Sequence, residues 1–312
     1  MRSSSSSSAS PAIPPVFPNG ASFRLYPNEK KTNYVHFEDS RPEQENPALI
    51  AVCLPGIGDS RRQFRFLAPL LHEQLGCRVF LGDLRGFGDS TEFDEDATKK
   101  YSAYSPESLA DDVIQLLNEL HAKHPQSAFI LLGNSLSAGT MVLATTQAKH
   151  EGIKLKALVL LGPVLRDSPM NTWFRPLSHV LFRELYGAGI WLNYYKTLYP
   201  PGKAPDDLEQ EIQLLKTHLK AKKANVVNTG RYARASKANV AAAVNNELGK
   251  FSKIPVLAFY GGKDPDYGNL QEELEWIKGA VPHVTCFEDP DGGHYPHVED
   301  AQKVANAIAK IL

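Results

Sequence analysis

The chain has 312 residues, enough for one large domain with a generous core and a sizeable insertion. Its 42% hydrophobic and 22% charged residues are ordinary for a globular protein, and a formal net charge of -1 excludes electrostatic capture of nucleic acid or anionic lipid as its business. No run approaches the ~18 apolar residues of a membrane span, and Cys53, Cys77 and Cys286 are too widely spaced for a disulfide framework, which points to a reducing, cytoplasmic setting with each thiol as a small buried apolar group.

Met1 to Asn19 is a serine tract followed by a proline-rich stretch. It lacks the apolar segment of a secretory signal. No acid precedes Glu29, as in organelle transit peptides, but the stretch is poor in arginine, which argues against one. Residues 1–20 are therefore expected to form a disordered tail. Ser22–Tyr26 and Thr32–Phe37 follow as short strands. Ala48–Leu54 is a continuous apolar run, the pattern of a strand buried on both faces of a parallel sheet. A glycine-containing loop comes next, then a helix-like segment with Phe64, Leu67 and Leu71. Arg78–Leu81 is a further strand. Ser105-Pro106-Glu107 reads as N-cap, first-turn proline and first-turn acid, and Leu109, Val113, Leu116, Leu117 and Leu120 then make one apolar helix face. Ala128–Leu132 and Ala157–Leu161 are strands of the buried kind.

From Arg166 to Lys250 no strand pattern appears. Leu208, Ile212, Leu215 and Leu219 have helical spacing, and the stretch is rich in aromatics, among them Trp173, Phe174, Phe182, Tyr186, Trp191, Tyr194, Tyr195 and Tyr199. Strands resume at Val256–Tyr260 and Val284–Glu288. Val298, Ala301, Val304, Ala305 and Ile308 close the chain as a helical stripe. Alternation of this kind predicts an α/β fold: a mostly parallel twisted sheet of about eight strands flanked by helices. Residues 21–165 and 251–312 would form the core, and residues 166–250 a helical cap inserted between two core strands.

Several loops carry chemistry. After Ala128–Leu132 comes Gly133-Asn134-Ser135-Leu136-Ser137-Ala138-Gly139 and then an apolar helix-like segment. A serine at the apex of such a strand–turn–helix projects its hydroxyl out of the sheet. The segment resembles the G-x-S-x-G nucleophile elbow of the α/β-hydrolase family, with Ser137 where the family usually has a second glycine. Leu54-Pro55-Gly56-Ile57-Gly58-Asp59-Ser60 is similar in position to the family's His-Gly oxyanion loop, with Pro55 replacing the histidine. By that resemblance the backbone amides of Ile57 and Leu136 would form the oxyanion hole. Asp83-Leu84-Arg85-Gly86-Phe87-Gly88-Asp89-Ser90 resembles the family's D-x-R-G-x-G-x-S signature and reads as architectural, with Asp83 and Arg85 making local polar ties.

A serine nucleophile needs a base, and the base needs a fixed tautomer. The family places the acid after the strand that follows the insertion, where Gly261-Gly262-Lys263-Asp264-Pro265 stands. Asp264 fits; Asp266 is a close rival and Asp167 a distant one. The histidine is expected after the last strand, and His294, in Asp291-Gly292-Gly293-His294-Tyr295-Pro296-His297-Val298-Glu299, matches. His297 reads as part of the following helix. His179, His218 and His283 read as surface or capping residues. Pro296 interrupts a metal pair of His294 and His297, and no third ligand is evident, so no metal is expected. Gly56 to Arg61 lacks the third glycine of a dinucleotide loop, so no nucleotide cofactor is expected either.

The resemblance implies a serine hydrolase that cleaves an ester-type bond, carboxylester or thioester, of a small hydrophobic substrate through an acyl-enzyme and without a cofactor. The aromatic insertion would wall the acyl pocket. The fold alone leaves carbon–carbon bond hydrolysis or lyase chemistry on the same triad open, and also a ligand receptor or scaffold with the triad retained.

Overall fold

A computed structural model describes residues 12–96, 98–150, 152–168, 171–250 and 254–312. Eight strands form one sheet: β1 (Ala21–Leu25), β2 (Val35–Asp39), β3 (Leu49–Leu54), β4 (Arg78–Gly82), β5 (Ala128–Asn134), β6 (Leu155–Leu161), β7 (Val256–Gly261) and β8 (Val284–Asp289). Their spatial order is β1-β2-β4-β3-β5-β6-β7-β8. The pairings β1–β2 and β2–β4 are antiparallel and the rest parallel.

The continuous apolar runs are explained by two cores, one on each face of the sheet. Along β5, Phe129 and Leu131 join one cluster and Ile130 and Leu132 the other. The first face is covered by α2 (Pro106–Lys123) and α3 (Leu136–His150), the second by α1 (Leu67–Glu73) and α11 (Ala301–Ala309). Side chains that alternate across a strand must be apolar at every position when both faces are covered. The Ser105 hydroxyl accepts the Ser108 amide at 3.3 Å and starts α2 where the sequence expects it.

Between β6 and β7 the chain is helical: α4 (Asn171–Leu181), α5 (Gly187–Thr197), α6 (Leu208–Ala221), α7 (Lys223–Arg234) and α8 (Ala238–Asn246). Helices α4, α5 and α6 all pack on α7. After β7 come α9 (Leu270–Ala280) and, beyond β8, α10 (Pro296–Glu299). No described helix is long and apolar enough to cross a membrane. The three cysteines are unpaired.

Two findings depart from the sequence reading. The part of the expected tail before residue 12 lies outside the described residues, but residues 12–20 pack on the sheet with Ile13 and Phe17 buried. Glu38 accepts the amides of Val16 and Phe17 at 3.0 and 2.5 Å, and Arg61 donates to the Ile13 carbonyl at 2.9 Å. The apolar side chains of Ile13 and Phe17 can be buried because a carboxylate satisfies the backbone they bring in. His218, read as a surface or capping residue, is instead 3% exposed. It falls on the buried face of α6 with Leu215 and Leu219, at the three- and four-residue spacing that shares a helix face.

The C-terminal ends of the central strands lie in register. Leu54 pairs with Gly133, Asn134 with Leu161, and Leu161 with Phe259. Loops leaving this edge carry the chemistry-bearing residues, the usual place for ligands in an open parallel sheet.

Candidate active site

Strand β5 passes into α3 through one residue. Ser135 takes φ 57° to make that turn. A non-glycine residue in this left-handed region costs ~1–2 kcal/mol and persists only where its surroundings enforce it. Here the Ser135 amide donates to the Leu161 carbonyl at 2.9 Å, holding it to the sheet, while α3 folds back on the strand. The fold-back is close enough that a Cβ at Gly133 would lie 2.3 Å from the Ser137 carbonyl oxygen. The Leu136 amide opens α3, so it has no intrahelical acceptor.

The loop after β3 lies against this turn. A Cβ at Gly56 would be 3.1 Å from the Ser135 Cβ. The Ser137 hydroxyl donates to the Pro55 carbonyl at 2.6 Å, and the Gly56 amide donates to Gln63 Oε1 at 2.9 Å. From the other side α5 of the insertion clamps the loop. The Trp191 indole donates to the Gly58 carbonyl at 3.1 Å, and the Tyr195 hydroxyl donates to Asp59 Oδ2 at 2.8 Å. Burial pushes the Asp59 carboxyl up to about 6, against the Ser60 amide and the Tyr195 hydroxyl, which lower it. Ile57, partly buried, therefore sits between Gly56, close to Ser135 and held by Gln63, and Gly58, held by Trp191.

His294 arrives on the loop between β8 and α10. Its amide donates to the Leu198 carbonyl at 3.0 Å, and its own carbonyl accepts from Asn134 Nδ2 at 3.2 Å. The His294 loop is thus tied both to the insertion and to the residue before Ser135. Gly162, at φ 50°, leaves room for it; a Cβ there would be 2.4 Å from the His294 carbonyl oxygen.

Of the acids in contention, Asp264 meets the imidazole through Oδ2, 2.6 Å from Nδ1. Its Oδ1 accepts the Asp266 amide at 2.9 Å, so both carboxylate oxygens are fixed. Asp266 lies on the other side of the ring, Oδ2 3.6 Å from Nε2, and its Oδ1 accepts the Tyr194 hydroxyl from α5. Asp167 pairs with Arg175 at 2.7 Å and Lys237 at 3.7 Å. Desolvation alone would lower the His294 imidazole, but Asp264 and then Asp266 raise it to about 9. Burial holds the Asp264 carboxyl above the usual carboxylate range, opposed by His294. His297, in α10, is fully buried beside Phe64 and lowered by burial to about 3.

Two trios bring metal-binding atom types within 4.8 Å of one another: Asp264, Asp266 and His294, and His36, Asp83 and Asp89. Arg61 already supplies the cation of the second, 2.5 Å from Asp83 and 2.9 Å from Asp89. In the first an imidazolium fills that role. We assign neither as metal ligands. The Asp83 loop is tied as the sequence suggested: Asp83 also accepts the Arg61 amide at 2.8 Å, and Arg85 makes a two-pronged pair with Asp112 at 2.7 Å.

The contributions of Tyr194, Trp191 and Asn134 were not evident from sequence. Trp191, Tyr194 and Tyr195 have the i, i+3, i+4 spacing of one helix face. Spacing alone does not tell which body that face meets.

A family model described as alpha/beta hydrolase fold matches residues 52–301. Protein phosphatase methylesterase 1 of Candida albicans is 30% identical over 194 residues, which cover 54% of this chain and 51% of that protein, so the chain spans about half the length of this curated relative. Among solved structures, an esterase from Thermogutta terrifontis is 20% identical with a TM-score of 0.66, covering 93% of this chain and 97% of that one. Epoxide hydrolase CorEH is 17% identical with a TM-score of 0.67, covering 94% and 98%. A bromoperoxidase from Bacillus anthracis is 17% identical with a TM-score of 0.67, covering 93% and 99%. Such distant structural likeness speaks for a shared fold, and the three proteins are named for three different chemistries.

Proposed function

The chain belongs to the α/β-hydrolase fold family, and from that premise we propose that it is a serine hydrolase acting on an ester-type bond, carboxylester or thioester, of a small hydrophobic substrate. The observation that carries this reading is the 2.6 Å contact of Asp264 with His294 Nδ1, on a loop hydrogen-bonded to the residue before a strained Ser135. The methylesterase name of the 30% identical relative supports ester cleavage.

In this reading Ser135 Oγ attacks the substrate carbonyl carbon, and His294 Nε2 takes the hydroxyl proton. Asp264 holds the Nδ1–H and stabilises the imidazolium. The carbonyl oxygen, now negative, turns toward the amides of Ile57 and Leu136; one such donor is worth ~3 kcal/mol in the transition state. Collapse expels the alcohol or thiol, which takes its proton from His294, and leaves an acyl-serine. Water, deprotonated by His294, then releases the acid and restores Ser135. In this reading the insertion at 166–250 serves as the cap: Ser135 is 7% exposed, and Trp191 of α5 donates to the Gly58 carbonyl of the neighbouring loop.

The test is labelling by a fluorophosphonate probe with the adduct mapped by mass spectrometry, beside Ser135→Ala and His294→Ala. Labelling at Ser135 that both substitutions abolish supports the reading. Folded wild-type protein that takes no label sinks it.

A further inference from the structure

His294 has a carboxylate at each ring nitrogen. Asp264 stands 2.6 Å from Nδ1 and Asp266 3.6 Å from Nε2. Nε2 is the nitrogen that a nucleophilic serine needs. Among the described residues no hydrogen bond joins it to the Ser135 hydroxyl, and its near neighbour is Asp266.

Asp266 is held in that place. Its amide donates to Asp264 Oδ1, which sets the turn, and its Oδ1 accepts the Tyr194 hydroxyl. Tyr194 sits on α5, the helix whose Trp191 and Tyr195 hold the loop of Gly58 and Asp59. The side chain of Asp266 remains 27% exposed, so it has somewhere to go when a substrate arrives.

We propose that Asp266 is a positioning residue of the reaction assigned above: it engages the Nε2 side of His294 in the free protein, and the ring must leave it before it can serve Ser135. The proposal rests on reading Ser135 as the nucleophile.

A buried imidazole between two carboxylates favours the doubly protonated ring: Nδ1–H donates to Asp264, and Asp266 adds charge attraction across 3.6 Å. Desolvation opposes this, yet Asp264 and Asp266 together raise the ring to about 9. The other groups facing it do not reverse the balance. Glu299 of α10 acts in the same direction, and His297 of α10 stays neutral because burial lowers it. Tyr194 stays protonated, raised by burial and then by Asp266. Lys237, before α8, is the cation near Asp266, and it is shared with Asp167. At pH 7 a base with a value near 9 is free in only ~1% of molecules, and each unit by which that value falls frees roughly tenfold more of it. An active-site carboxylate thus restrains the base at neutral pH.

The experiment measures kcat/KM for p-nitrophenyl acetate from pH 5 to 10 on wild type, Asp266→Asn and Asp266→Glu, with the His294 ring nitrogens titrated by NMR in each free protein. The expected wild-type acid limb lies near pH 9, where His294 itself titrates. In Asp266→Asn both should move down by about one unit or more, and kcat/KM at pH 7 should rise on the order of tenfold. Asp266→Glu, which keeps the charge, should stay with wild type. An unshifted limb and unshifted ring titration in folded Asp266→Asn would overturn the proposal. So would a wild-type His294 that titrates near its ordinary value, a result that needs no variant to fold. Absence of turnover and of Ser135 labelling would instead count against the hydrolase reading, while the ring titration would still decide what Asp266 does to His294.

Discussion

The hydroxyl of Ser137 donates to the carbonyl of Pro55 at 2.6 Å. These are the two positions at which the sequence departs from the family motifs it resembles, and they are bonded to each other. A serine in place of glycine ties the first turn of α3 to the loop beside it, and does so through a backbone carbonyl, which a proline supplies as well as a histidine would. Replacing Ser137 with alanine leaves a buried carbonyl without this donor and should cost roughly 1 to 3 kcal/mol, read as a lowered urea midpoint. Ester turnover should fall as well, because the Pro55–Ile57 backbone loses its anchor. Unchanged stability and turnover would mean that the bond is incidental.

Asp264→Asn should act in the opposite sense to Asp266→Asn. It replaces one carboxylate oxygen by an amide N–H, which can face Nδ1 and favours the wrong tautomer. Turnover at pH 7 should fall by on the order of a thousandfold or more, measured as kcat on a neutral ester. A small loss would mean that another group orients the ring.

Gly58 and Gly76 share φ 68°, but a Cβ at Gly58 would be 2.5 Å from the Trp191 ring, whereas Gly76 has nothing within 4 Å. Gly76→Ala should therefore show the backbone strain alone, ~1–2 kcal/mol. Gly58→Ala should cost more and displace α5. Comparing urea midpoints and tryptophan fluorescence of the two variants isolates the contact. Equal destabilisation with unchanged fluorescence would argue against the clamp.

Arg61 balances Glu38, Asp83 and Asp89 in a nearly dry site. Arg61→Leu should cost ~3–5 kcal/mol, because it strands buried carboxylates. Residues 13–17 lose their tie with it, so the amides of Val16 and Phe17 should lose protection in hydrogen exchange. Protection equal to wild type would show that packing of Ile13 and Phe17 suffices by itself.

Burial would raise the Asp83 carboxyl, but Arg61 and His36 hold it well below the usual carboxylate range. A depressed folded value contributes stability above the unfolded value of ~3.9, and that contribution fades as pH falls below it. Between about pH 4 and pH 2 the wild-type thermal midpoint should fall more steeply than that of Asp83→Asn. Parallel slopes would mean that other carboxylates carry the acid sensitivity.

Much of this protein is legible in its residues. Unbroken apolar runs such as Ala48–Leu54 demand two covered faces, and their alternation with helical stripes demands a parallel sheet, since both follow from periodicities of 2.0 and 3.6 residues. The turn at Ser135 and the loops bearing Asp264 and His294 are likewise visible, because small residues mark where the chain must reverse tightly. What sequence could not decide was which carboxylate meets which ring nitrogen. Asp264 and Asp266 are two aspartates two residues apart in the one loop that follows β7. Only the folded turn, in which Asp264 accepts the Asp266 amide, aims one carboxylate at Nδ1 and sends the other past Nε2 to Tyr194. Tyr194 itself comes from a helix, 72 residues before Asp266, brought there by the packing of α5 against the loop of Gly58 and Asp59. Contacts of that kind arise from packing between distant segments, and no local pattern encodes them.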